Sequence, residues 1–98
     1  MSNEDALKKK ERDLQIIREM SRLMADLVRT GVPGAYETEM ACDDAMHSDF
    51  NMTPEKALAY LRKQEKESPK EHMRKYYKLA AALLSIKIDF GPSGTSYI

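Results

Sequence analysis

TPEKALAYLRKQEKESPKEHMRKYYKLAAALLSI, residues 53–86, restarts a helix twice within one short span. Thr53-Pro54-Glu55 and Ser68-Pro69-Lys70-Glu71 each set a hydroxyl where a helix cap belongs and a proline at the first helical position, where its missing N–H costs nothing. Ser68 with Glu71 also has the spacing of a capping box, in which cap and third residue satisfy each other's backbone amides. The spacing predicts one helix over about 54–66 with Ala57, Leu58 and Leu61 inward. A second is expected over about 69–88 with Met73, Tyr76, Tyr77, Ala80, Leu83 and Leu84 inward.

Upstream, apolar residues at 7, 14, 16, 17, 20, 23, 24, 27 and 28 repeat at intervals of three and four, which is helical rather than strand spacing. Ser2 or Asn3 can cap this helix, Glu4 and Asp5 suit its positive end and Arg29 its negative end, and Gly31 with Pro33 stops it. Positions 16, 20, 23 and 27 make one stripe and 14, 17, 24 and 28 another, together wider than one neighbouring helix covers. Ile16, Met20, Leu23 and Leu27 are therefore the expected seam of a homodimer. GVPGAY, residues 31–36, reads as a loop that hands over to a short helix over about 35–47. The expected fold is all-α, a small bundle of three to four helices in a single domain over residues 1–90. Residues 91–98 form an expected flexible C-terminal tail, with Phe90, Tyr97 and Ile98 as the residues that could dock it.

The chain has 98 residues, so one modest core is the ceiling, removing roughly two thirds of the unfolded surface from water. Sixteen Lys and Arg balance sixteen Asp and Glu, and no global field recruits nucleic acid or anionic lipid. Any electrostatic partner must be read by a local patch. One cysteine, Cys42, forbids an internal disulfide, and two histidines are too few for a structural zinc centre. The acidic start carries no apolar leader segment, and the run LAAALLSI at 79–86 is less than half a membrane span. These features predict a cytoplasmic protein with no membrane role.

ETEMACDDAMHSD, residues 37–49, holds five carboxylates, a thiol and an imidazole without one Lys or Arg. On a helix, Glu39, Asp43 and His47 share a face, yet residues eight apart are separated by roughly 12 Å along the axis, so one helix cannot close a coordination sphere. His72 and Glu71 are the candidates on a second helix. The Glu-x-x-His pairs that carboxylate bundles use for metal are missing, so no metal or cofactor is expected. Glu37, Glu39, Asp43, Asp44 and Asp49 are read as an acidic surface offered to a basic partner. Cys42 lies beside Asp43 and Asp44, which disfavour a reactive thiolate, and is read as a small buried residue.

Residues 31–53 hold five acids and no base, whereas residues 54–78 hold eight bases and four acids. Lys63, Lys66, Arg74 and Lys75 head a basic strip that could meet a protein or, with Tyr76 or Tyr77 stacking, a nucleic acid. Glutamates at 65, 67 and 71 interrupt it.

SPKEHMRKYY, residues 68–77, resembles the proline-started final helix of the theta accessory subunit of bacterial replicative DNA polymerase, and ADLVRTGV, residues 25–32, resembles that family's first helix. The two stretches cover under a fifth of the chain and stand further apart than the family's pattern, so an insertion would separate them. The resemblance implies a non-catalytic polymerase subunit that binds the proofreading exonuclease. With no Gly-rich phosphate loop and no nucleophile signature, the residues point to a non-enzymatic interaction module, an adaptor, modulator or inhibitor acting through helical surfaces. A nucleic-acid accessory protein stands second and a metal-dependent enzyme third.

Overall fold

Four helices follow one another in a computed structural model that describes residues 3–91: α1 Asn3–Arg29, α2 Ala35–Met46, α3 Pro54–Glu67 and α4 Glu71–Phe90. No strand occurs among the described residues, and the architecture is the small all-α bundle that the periodicity predicts. The expected tail lies outside the described residues from position 92 onward, Tyr97 and Ile98 with it.

The α1–α2 junction turns where glycine is required. Gly31 and Gly34 sit at φ 75° and 82°, the left-handed region that side-chain-bearing residues rarely adopt. At Gly34 a side chain would also crowd its neighbour, because an added Cβ would lie 3.0 Å from Cε1 of Tyr76. Gly34 therefore lies against the Tyr76 ring of α4. Thr38 is buried one turn further on, and its hydroxyl is satisfied by donating to the Gly34 carbonyl at 2.8 Å.

Thr53 caps α3 as its sequence predicts, its hydroxyl accepting from the Lys56 amide at 3.2 Å with Pro54 in the first turn. The start of α4 differs from expectation. Ser68 terminates α3, its amide donating to the Gln64 carbonyl at 3.0 Å, while its hydroxyl accepts from the Lys70 amide at 3.3 Å. The expected capping box with Glu71 does not form, because Ser68-Pro69-Lys70 is needed as the connection and α4 begins only at Glu71. At its other end α4 runs two residues beyond the expected limit, through Asp89 and Phe90, to Gly91 at φ 74°.

The core is built where small residues let helices approach closely. Ala41 and Ala45 of α2, Ala57 of α3 and Ala80 and Ala81 of α4 are fully buried, with Ile16, Met20, Met24, Leu61 and Leu84 filling the space between them. The α3–α4 pair is the most extensive helix contact, and α1 packs chiefly on α2. Residues 3–11 of α1 are exposed all round. A helix of this length reaches roughly 40 Å at 1.5 Å per residue, close to the longest molecular dimension of 45 Å. Arg12 fastens the arm at its root, donating to the Ile88 carbonyl at 3.0 Å and lying 3.8 Å from the Glu55 carboxylate.

Candidate interaction surfaces

The seam expected on α1 is not a surface. Ile16 and Met20 are fully buried in the chain's own core, Leu27 packs against that core half-buried, and Leu23 alone of the four is exposed. Of the second stripe, Met24 is buried, Ile17 and Val28 are half-buried and Leu14 is exposed; α1 packs chiefly on α2, with smaller contacts to α3 and α4.

Residues of the acidic run separate into different tasks. Asp44 projects from α2 between α3 and α4, and its Oδ2 accepts from the Tyr60 hydroxyl at 2.7 Å and from the Tyr77 hydroxyl at 2.8 Å. One carboxylate oxygen thus joins three helices. The bond to Asp44 is the main cause that raises Tyr60 to about 12, and burial followed by the same bond raises Tyr77 to about 12. Asp49 is held in the α2–α3 connection, its Oδ1 accepting from the Asn51 amide at 2.8 Å and its Oδ2 lying 3.6 Å from Lys56. Glu37 and Glu39 are half-buried, and Asp43 is exposed. Among the described residues no three of His, Cys, Asp and Glu gather closely enough to hold a metal ion.

Cys42 is buried at 1% exposure, and burial, reinforced by Asp43 and Glu39, pushes its thiol up to about 12. The thiol stays protonated at neutral pH, which suits a packing role.

The basic strip divides as well. Lys63 and Lys66 are exposed and make no ion pair among the described residues. Arg74 is half-buried and its Nε donates to the Ser68 carbonyl at 2.8 Å, so it braces the α3–α4 connection. Lys75 stands 5.1 Å from the ring centre of Tyr76, a cation–π distance. Tyr77 is buried and turned to Asp44, which removes it as a stacking platform, and Tyr76 lies half-buried on Gly34.

The sequence marks the small-residue run Leu79 to Ile86 as surface suited to a partner, but does not separate its outward side from its core side. Leu79, Ala82, Ile86 and Phe90 fall within an arc of roughly 80° at 100° per residue. Met73, Tyr77, Ala80, Ala81 and Leu84 occupy the opposite side and enter the core. Leu79 is 49% exposed, Ile86 54% and Phe90 75%. A shallow, almost wholly apolar depression of about 390 Å³ lies here, lined by Lys75, Tyr76, Lys78, Leu79 and Ala82. The signal was present in LAAALLSI, whose only polar residue is Ser85, too few for any helix face to be polar.

A larger cleft of about 580 Å³ lies between the α1 arm and the connection before α3, lined by Ala6, Leu14, Ile17 and Met52 with Lys9 and Asp13. Asp13 is buried, its Oδ2 accepting from Lys9 at 2.9 Å while Arg12 stands 3.6 Å from its Oδ1. The Asp13 carboxylate holds the Lys9 ammonium above its ordinary range.

No protein-family model, no curated protein and no solved structure matches the chain. The likeness to theta therefore rests on residues 25–32 and 68–77 alone. No helix among the described residues is long and apolar enough to cross a membrane.

Proposed function

We propose that this chain is a non-enzymatic interaction module, an adaptor, modulator or inhibitor that acts by presenting the outward face of α4 to a protein partner. The observation that carries this reading is the row of exposed large apolar side chains, Leu79, Ile86 and Phe90, rimmed by Lys75 and Lys78. Contiguous apolar surface exposed on a folded chain marks interaction sites, and lysines at its rim favour a partner that brings acidic residues to the contact. The chemistry of the other groups supports a binding role: the thiol is buried and protonated, and the hydroxyls of Tyr60 and Tyr77 are engaged by Asp44. A reducing compartment such as the cytoplasm suits a protein whose one cysteine is buried and free.

Capture from an extract of the source cell, comparing the native chain with Leu79→Glu/Ile86→Glu, tests this reading. Partners held by the native chain and lost by a variant with unchanged helical circular dichroism are expected. Equal retention by both would overturn it.

A second reading, a nucleic-acid-associated accessory protein, is favoured by the exposed ammonium groups of Lys63 and Lys66, which no acid neutralises among the described residues. Its signature would be oligonucleotide binding that weakens steeply with salt and loses slope in Lys63→Ala/Lys66→Ala.

A further inference from the structure

We infer that the outward face of α4 pairs with the same face of a second copy, the two α4 helices running antiparallel about a twofold axis between Ala82 and Leu83. The inference rests on the reading of that face as an interaction surface and names its occupant. Three observations converge on a second copy. Leu79 and Ile86 lie on the exposed side at equal distances from the Ala82–Leu83 midpoint, so an antiparallel partner sets each Leu79 beside Ile86 of the other copy. Ala82 lies at the centre, exposed and small, where helix axes must approach most closely. The charges at the two ends are opposite. Lys75 flanks the stripe at the N-terminal end and Asp89 at the C-terminal end, both exposed and neither ion-paired among the described residues.

The same antiparallel register carries Lys75 to Asp89 and Phe90 of the second copy, so the twofold axis makes that contact twice. Parallel pairing would instead set Lys75 against Lys75 and Asp89 against Asp89, like charges opposed at both ends. Charge complementarity thus selects one orientation, and apolar contact between the stripes supplies the attraction. Because α4 presents its other face to α2 and α3, the pairing leaves the core untouched.

Sedimentation velocity of the full chain, from low micromolar to a few hundred micromolar, reads the proposal. A reversible monomer–dimer equilibrium is expected. Ile86→Asp should weaken it at least about tenfold, as expected for truncating and charging a central apolar anchor. Lys75→Glu should weaken it about fivefold, and Lys75→Glu combined with Asp89→Lys should restore it, which only a self-complementary interface predicts. As an independent readout that does not rely on affinity, Ala82→Cys should form an intermolecular disulfide under mild oxidation, while Lys63→Cys should not. A chain that stays monomeric across the range overturns the pairing, and so does a dimer indifferent to Ile86→Asp or a charge swap without restoration. A monomer that still loses extract partners on Leu79→Glu/Ile86→Glu would remove the second copy and keep the interaction surface. A chain that dimerises yet loses no such partner would keep the second copy and remove the outside partner.

Discussion

The two longest helices, α1 and α4, place their apolar residues in opposite ways. In α1 they gather in the second half, where Ile16, Met20 and Met24 are buried and Ile17, Leu27 and Val28 are half-buried, while the first nine described residues are exposed on every side. In α4 they run the whole length and on both sides: Ala80, Ala81 and Leu84 face the core, and Leu79, Ile86 and Phe90 face out. The number of apolar residues on a helix therefore does not reveal whether it has surface to share. What decides is which residues fall on the side turned away from the bundle. The second half of α1 turns Ile16, Met20 and Met24 to the bundle and a mostly polar side with Arg18, Ser21 and Arg22 outward, whereas α4 packs chiefly on α2 and α3 and leaves an apolar back uncovered.

The sharpest way to break this comparison is to truncate one residue on each side of α4. Leu84 is fully buried, and Leu84→Ala should lower the unfolding free energy by about 2–5 kcal/mol in urea denaturation. Ile86→Ala, two residues along the same helix, should shift it by less than about 0.5 kcal/mol in dilute protein. Similar losses at both positions would mean that something covers the outward face of the single chain.

Next in size is the carboxylate that joins α2, α3 and α4. Asp44→Ala leaves the hydroxyls of Tyr60 and Tyr77 without their acceptor and should cost about 1–3 kcal/mol. The pH dependence has a definite sign. Both phenols are raised in the folded chain to about 12 from an ordinary value near 10, so folding favours the protonated form. Their contribution is complete below about pH 10 and is lost as pH rises towards 12. Urea midpoints measured from pH 8 upward should fall across that window, and Tyr60→Phe/Tyr77→Phe should flatten the fall.

A smaller effect separates the two proline-marked helix starts. Thr53→Ala removes a hydroxyl that caps α3 and should cost about 1 kcal/mol. Ser68→Ala should cost less, since its hydroxyl serves only a turn contact to Lys70 at 3.3 Å. A larger loss at Ser68 than at Thr53 in thermal unfolding would restore the capping box that the sequence suggests.

These cases also mark how far the sequence could be read. Four helices, their order, the Gly31–Gly34 turn and the Thr53-Pro54 cap are local properties, carried by spacing and by residues with specific backbone preferences. Ser68-Pro69-Lys70-Glu71 has the same local signature yet serves as a connection, because α3 extends to Glu67 and the chain must turn before α4 can pack on it. The Asp44 junction was beyond local reading, since its partners are 16 and 33 residues away. The acidic run looked like one surface for a similar reason: nothing adjacent in sequence says that Asp44 and Asp49 are already engaged. On α1 the two stripes were visible, but which neighbours would cover them depends on how the later helices return. On α4 the near absence of polar residues from 79 to 86 hid which side faces out.

The central claim is that α4 serves folding with one face and association with the other. The most direct measurement is the thermal midpoint of the native chain as a function of its concentration, with Ile86→Asp measured alongside. A dimer stabilises the native state by mass action, so the native midpoint should climb steadily with concentration. Ile86→Asp should begin to climb only at concentrations at least about tenfold higher, and at high dilution its midpoint should stay close to that of the native chain. A native midpoint independent of concentration, or an Ile86→Asp midpoint already depressed at high dilution, would contradict the account.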